Sequence, residues 1–274
     1  MIVRDPCAIG RFYPQNADQL AEVVPHYLKA GTKPKIQPWA FLLPHAGYVF
    51  CGDVIGKTLG GGEIFDTVVV LCPNHTGRGK AFSVWPSGVW KMPMGNFPID
   101  EDLVQKLSAP FEQDCLAHLN EHAIEVLLPF LYYAHKGRVM RIVPICVGTQ
   151  HPMALQMAGQ ALGKVLRDEQ KQGKNISVVI SSDMNHYEEH SRTLEKDALA
   201  FERIQANDPQ GLLAVCQQEE ITMCGVAPCA LCLYMAQSMG MLTAEIVAHT
   251  TSGPSSGNFR QTVGYAGIRF YFAA

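Results

Sequence analysis

Three histidines, His45, His75 and His186, follow short apolar runs that are typical of buried β-strands. A proline lies between His45 or His75 and the run before it, so each ring stands beyond the end of a strand. In open α/β sheets, ligands bind in the crevice beyond the carboxyl ends of the strands. We therefore expect these side chains to open towards one crevice. The pattern occurs in four stretches, of which the third has no histidine: Trp39–Tyr48, Thr67–Gly77, Arg138–Gly148 and Ser177–Tyr187.

His45 and His75 occupy matching positions on two predicted strands, which favours a shared role. Neutral imidazoles placed together are typical ligands of divalent transition metals. The alternative is that each ring is a structural residue, hydrogen-bonded at the end of its own strand. Both interpretations are open from the residues alone.

Further polar residues surround His186 and a predicted helix start. If a helical turn begins at Asp183, then Asp183 and His186 lie three residues apart on one face, and the carboxylate could orient a histidine that moves protons. Asp183 could instead be an N-cap. His122 and Glu125 lie in the first turns of a helix that we predict to be capped by Asn120. They either support a nearby site or form an ordinary polar helix start.

Cys224 precedes Gly225 near the start of a helix predicted over Thr222–Met239. A helix N-terminus lowers the pKa of a thiol, so we expect thiolate character at Cys224. Together with Cys229 and Cys232 it has the spacing C-x4-C-x2-C, which invites a zinc interpretation. That spacing lacks a second paired knuckle, and Cys229 and Cys232 fall inside an apolar helix, so we interpret those two as core residues.

Composition narrows the class of protein. The 274-residue chain is 47% hydrophobic and 17% charged, and strand patterns alternate with helical patterns, which predicts one α/β domain over residues 1–274. A net charge of −3 without a basic stripe gives no support for binding nucleic acid or an anionic membrane. No apolar run reaches the roughly 20 residues of a membrane span, and the N-terminus lacks the apolar core of a signal peptide. Because the nine cysteines are scattered, we expect a reducing, cytoplasmic setting.

Several short motifs, in order along nearly the whole chain, resemble those of the Memo family, whose prokaryotic members are called AmmeMemoRadiSam system protein B. Together the motifs are specific, although any one alone would be weak. They are PHAGYVFCG at 44–52, PNHTG at 73–77, EHAIEVLLPF at 121–130, SSDMNHY at 181–187 and CG at 224–225.

The resemblance implies a single α/β domain with the fold of class III extradiol dioxygenases of the LigB type, in which helices flank a mixed, mostly parallel central sheet. It implies a metal position at His45, His75 and Cys224. It also implies that His186 is the acid/base histidine, with Asp183 beside it. We expect Tyr48 near the rim of the same cavity.

The implied third ligand departs from the dioxygenase pattern, which uses two histidines and a carboxylate on Fe(II). A thiolate at Cys224 favours softer metals such as Cu(I) or Zn, while iron stays open. We expect a metal-binding protein with a dioxygenase-like pocket, acting by redox chemistry on a small molecule or on a partner's product. The family name implies AMMECR1-like and radical-SAM partner proteins. The alternatives are a non-catalytic protein- or peptide-binding module and hydrolysis by a zinc-bound water.

Overall fold

A mixed sheet of nine β-strands forms the centre of the protein, in a computed structural model that describes residues 1–272. A separate small sheet contains the first, fifth and sixth strands of the chain. In chain order the strands are β1 (Val3–Arg4), β2 (Ala40–Leu43), β3 (Thr67–Pro73), β4 (Phe82–Val84), β5 (Val89–Met92), β6 (Gly95–Pro98), β7 (Glu112–Gln113), β8 (Arg141–Val147), β9 (Ile176–Ser181), β10 (His186–Glu188), β11 (Leu242–Thr251) and β12 (Thr262–Phe272).

The four central strands are parallel and lie in the order β2, β9, β3, β8. Their side chains are almost all buried and mainly aliphatic, as expected for strands that are covered on both faces. Antiparallel β12 continues the sheet beside β2 and carries β10 and β11, while β4 and β7 extend the other edge. The predicted mixed sheet flanked by helices is confirmed, and its parallel pairings lie mainly at the centre.

Helices flank this sheet, and the most buried of them is the apolar helix predicted near the C-terminus. They are α1 (Ala17–Leu28), α2 (Tyr48–Leu59), α3 (Glu101–Lys106), α4 (Leu128–Ala134), α5 (Pro152–Lys171), α6 (His190–Gln205), α7 (Pro209–Gln218), α8 (Val226–Gln237) and α9 (Gly253–Ser256). α8 packs between the sheet and α5, and Cys229 and Cys232 are core residues as predicted. None of the helices within residues 1–272 is both long and apolar enough to cross a membrane.

The ends of three parallel strands bring distant segments side by side. Leu43, the last residue of β2, pairs in register with Ser181, the last residue of β9. β3, which ends at Pro73, lies on the other side of β9. The segments that follow these strands, which include His45 and His75, therefore emerge at one edge of the sheet.

Two segments beside this edge differ from the helical starts considered in the sequence, one at Asp183 and one at Thr222. No helical turn begins at Asp183, because His186 enters β10 and pairs with Val263 of β12. The helix expected from Thr222 begins only at Val226. The backbone N–H and hydroxyl of Thr222 are instead engaged with the segment around β10, which keeps the residues before α8 in an irregular conformation.

Candidate metal centre

Three histidine side chains meet at the carboxyl edge of the parallel strands. His45, His75 and His122 each offer one ring nitrogen, and the three nitrogens lie within 4.8 Å of one another. The ring centroids are 5.2 Å apart for His45 and His75, 5.4 Å for His45 and His122, and 5.0 Å for His75 and His122. Because imidazole is the commonest metal ligand in proteins, this group is a candidate metal centre.

His45 is buried at the end of β2, and its hydrogen bonds fix which ring nitrogen is free. Its Nδ1 lies 2.7 Å from the hydroxyl of Ser181, and that hydroxyl donates its only proton to the carbonyl of Ala123 at 2.6 Å. Nδ1 must therefore carry the proton in this pair, which leaves a lone pair on Nε2. Burial, together with the neighbouring imidazoles, holds the pKa of His45 well below its usual range, so the ring is neutral.

His75 is held by the buried carboxylate of Glu121. Glu121 Oε2 accepts the backbone N–H of His75 at 2.7 Å, while Oε1 lies 2.8 Å from its Nδ1 and accepts the N–H of Ala123 at 3.0 Å. Burial alone would lower the pKa of His75 and raise that of Glu121, but the bonds between them outweigh it in both cases. A carboxylate on the outer nitrogen of a ligating histidine fixes the ring and raises its basicity.

His122 belongs to the histidine group and lines its cavity, whereas the sequence indicated only a supporting residue or a polar helix start. The helix expected after Asn120 starts with a 3-10 turn at Glu125–Leu127, so His122 lies in the loop before it. Its ring lies against Phe12, with centroids 4.5 Å apart, and its Nδ1 is 3.5 Å from Glu121 Oε1. Burial lowers the pKa of His122. Glu121 was missed in the sequence because it is 46 residues from His75, although it directly precedes His122.

Cys224 lies beside the histidines, with its Sγ 3.4 Å from His45 Nε2. The sulfur also accepts the backbone N–H of Asp183 at 3.2 Å. The expectation of a lowered pKa is wrong: burial, and then the charge of Asp183, raise the pKa of the thiol. Helix α8 begins two residues later, so its N-terminus does not offset this desolvation. Cys224 also lines a separate cavity of about 1090 Å³.

Asp183 and His186 do not form the predicted pair. Asp183 Oδ1 accepts the backbone N–H of His45 at 2.8 Å, so this carboxyl supports the loop after β2. Burial raises the pKa of Asp183 to about 7. His186 Nδ1 lies 2.9 Å from the carbonyl of Thr222, which can only accept, so Nε2 is the free nitrogen. Burial lowers the pKa of His186.

Tyr48 and Glu125 lie behind the site and do not line its cavity. Tyr48 was expected at the rim, but it is buried, and its hydroxyl donates to the carbonyl of Val126 at 2.8 Å. The buried Glu125 pairs with Arg4 at 2.7 Å and accepts the hydroxyl of Tyr13 at 2.7 Å. Glu125 therefore fastens the N-terminal segment to the segment that carries His122.

The histidine group opens into a cavity of about 380 Å³, within the range of small-molecule sites. Its walls combine the imidazoles with aromatic side chains, and both Asp183 and His186 contribute to them as predicted. The lining residues are Phe12, His45, Ala46, Gly47, Phe50, His75, His122, Asp183, His186, Tyr187, Val263 and Tyr265.

Comparisons with known proteins agree with this arrangement of motifs. A family profile described as "Memo-like protein" matches residues 4–269. A MEMO1 family protein of Ignicoccus hospitalis is 37% identical, with 98% of this chain and 99% of the relative covered. A MEMO1 family protein of Thermotoga neapolitana is 35% identical, with 96% and 98% covered. The crystal structure of an uncharacterized protein from Escherichia coli K12 has a similar fold, with a TM-score of 0.53, 14% identity, and 85% of this chain and 99% of that chain covered.

Proposed function

Because this chain belongs to the Memo family, we propose that it is a metal-dependent enzyme that carries out redox chemistry on a small molecule. The observation that carries the proposal is the convergence of His45, His75 and His122 at an open cavity. The volume of about 380 Å³ suits a small organic ligand. Hydrolysis by a zinc-bound water has less support, because Asp183, the one carboxylate that lines the cavity among residues 1–272, is bonded to the main chain.

The donor set fits a transition-metal ion. The Nδ1–H groups of His45 and His75 are taken up by Ser181 and Glu121, so their Nε2 lone pairs are available to a ligand. Imidazole suits iron, copper and zinc alike, and redox chemistry restricts the proposal to iron or copper. When bound, such an ion supplies electron transfer and polarises an oxygen-bearing ligand. Cys224 is an adjacent soft donor, and its role as a ligand stays a prediction.

His186 is positioned to exchange a proton with a ligand in the cavity. Its Nδ1–H bond to Thr222 fixes the ring and leaves Nε2 unprotonated, since burial keeps its pKa below the usual value. A neutral imidazole of this kind accepts a proton from a ligand hydroxyl and returns it later. Asp183 acts differently: it accepts the backbone N–H of His45 and so fixes the direction in which the His45 ring faces the metal position. His186 is thus the group that we propose as acid/base.

Oxygen uptake driven by ascorbate tests the proposal without knowledge of the substrate. We expect protein loaded anaerobically with Fe(II) or copper to consume oxygen, and His75→Ala to lose both the metal and the uptake. His186→Gln should keep the metal but slow the uptake. His190→Gln is the matched control, because this ring is bonded to Thr251 and does not line the cavity. Uptake by loaded wild-type protein that does not exceed that of His75→Ala would contradict the proposal.

A binding module is the second candidate, favoured by apolar groups at the mouth of the cavity. Tyr187 lines the cavity yet is 75% exposed, and Val49, beside the lining residue Phe50, is 68% exposed. Such groups suit contact with another protein. For either function we propose the AMMECR1-like and radical-SAM partners implied by the family resemblance. Co-purification with those proteins that is abolished by Tyr187→Ala but unaffected by His75→Ala would favour the binding module.

A further inference from the structure

A second cavity, of about 430 Å³, lies at the amino ends of the parallel strands, opposite the histidine group. Three loops form it: the loop before β2, the loop before β3 and the loop before β8. Four of its lining residues are cationic, and one, Glu63, is acidic. The cations are Lys33, Lys35, Lys136 and Arg138.

The positive charge of this cavity is only partly compensated. Arg138 lies 3.9 Å from the exposed Asp66, whereas no ion pair in the described part of the chain includes Lys33, Lys35 or Lys136. Even with Asp66 counted, the cations exceed the carboxylates by two, in a chain whose net charge is −3. Part of this excess offsets the C-terminal ends of α1, α2 and α4, which lie nearby. Three unpaired lysines remain available to an anion.

A buried arginine fixes the first two loops against each other. The guanidinium of Arg269 donates to the carbonyls of Thr58 at 2.8 Å, Thr32 at 2.9 Å and Gly60 at 3.0 Å. The loops also touch through backbone alone, since a Cβ on Gly31 would lie 2.4 Å from the Cα of Gly60. The backbone from which Lys33 and Lys35 extend is therefore held in place.

Two further side chains complete the assembly of the cavity. The amide of Gln37 donates to the carbonyl of Glu63 at 2.7 Å and accepts its N–H at 3.1 Å. The buried His135 has its Nδ1 2.6 Å from the carbonyl of Ile64 and its Nε2 3.1 Å from Asp66. All three loops are thus tied together, which reduces the ordering cost of binding a ligand.

We propose that this cavity binds a small molecule that carries a phosphate group. Lysine binds phosphate as a point charge. A ligand with two negative charges therefore suits several lysines better than a ligand with a single carboxylate does. Pro34, Ile64 and Ala134 give one wall apolar character, which suits an organic portion of the ligand. The seven residues of β3 separate the cavity from the histidine group by roughly 20 Å. The site is therefore independent of the proposed metal chemistry.

Calorimetric titration of chelator-treated protein at low salt tests the proposal, with inorganic phosphate, pyrophosphate and AMP as probes. We expect pyrophosphate to bind, and the double variant Lys33→Gln/Lys35→Gln to bind it about tenfold or more weakly, because two charge-assisted contacts are lost. Lys164→Gln/Lys171→Gln is the matched control, since it removes the same charge from α5 and should bind as wild type does. AMP binding more tightly than phosphate would assign an organic ligand, and equal binding an inorganic one.

Two outcomes would overturn the proposal. The first is the absence of pyrophosphate and AMP binding to wild-type protein at millimolar concentration. The second is an equal loss of affinity in both double variants, which would mean that the anions respond only to net charge. Thermal unfolding of the variants without ligand checks that each is folded, and Lys136→Asn provides a single-residue variant on the third loop, where weaker binding is also expected.

Discussion

Replacing Glu121 with glutamine should weaken metal binding without unfolding the protein. Glu121 accepts three N–H groups, from the His75 backbone at 2.7 Å, the His75 ring at 2.8 Å and Ala123 at 3.0 Å. Glutamine has the same shape, but only one of its two terminal atoms accepts a hydrogen bond. Its NH₂ group would therefore face either the His75 backbone N–H, or both the His75 ring and the Ala123 N–H, so that at least one contact to His75 must be lost.

The size of this effect follows from the number of lost contacts. A hydrogen bond to a charged group contributes about 1.5–3 kcal/mol. Loss of the group that orients a ligating histidine typically lowers metal affinity by about 10- to 100-fold. At 25 °C that range corresponds to roughly 1.4–2.7 kcal/mol, in agreement with one lost contact. We therefore expect Glu121→Gln to weaken Zn(II) binding by about one to two orders of magnitude.

Competition titration against a chromophoric chelator measures this change, and Glu125→Gln is the matched control on the same segment. Glu125 pairs with the buried Arg4 and does not touch the histidines. Breaking a buried ion pair costs about 3–5 kcal/mol of stability, so this variant should unfold at lower denaturant concentration but bind Zn(II) as wild type does. Wild-type affinity in Glu121→Gln, or an equal loss in folded Glu125→Gln, would refute the assigned roles.

Three further substitutions test other parts of the site. Burial raises the pKa of Asp183 to about 7, so the stabilising contribution of this carboxyl is present at low pH and is lost as the pH rises through 7. We therefore expect the unfolding free energy of metal-free wild type, relative to that of Asp183→Asn, to fall by on the order of 4 kcal/mol between pH 4 and a pH above 7. Urea titrations at each pH measure this difference. Cys224→Ser should weaken Cu(I) binding more than Zn(II) binding in competitive titrations, and unchanged affinity for both ions would mean that the sulfur is not a ligand. Tyr48→Phe should lower stability by about 1–3 kcal/mol and leave metal affinity unchanged, because its hydroxyl bonds only to the buried carbonyl of Val126.

The parallel core was predictable because its strands are continuous apolar runs that end abruptly. The aliphatic run before His75 and the proline after it identify both the strand β3 and its end. His45 and His75 come directly after such strand ends, so it was also predictable that their side chains meet at one edge of the sheet. A pattern of this kind depends only on residues that are neighbours in the sequence, so the strands and their ends can be predicted from the sequence alone.

The rest of the site depends on contacts between distant segments. His122 joins the group because Glu121 bridges to His75, 46 residues away, and no local pattern encodes that bridge. His186 is extended, not helical, because it pairs with Val263 of β12. The expected thiolate at Cys224 failed for a similar reason, since desolvation by the surrounding fold outweighs the nearby helix start.

X-ray absorption at the zinc edge of reconstituted wild-type protein tests the central claim most directly. We expect about three imidazole ligands at roughly 2.0–2.1 Å, and a His122→Ala variant should lose one of them. An additional sulfur at about 2.3 Å would assign Cys224 as a further ligand. A wild-type ion with two or fewer imidazoles, or a spectrum unchanged in His122→Ala, would contradict the three-histidine centre.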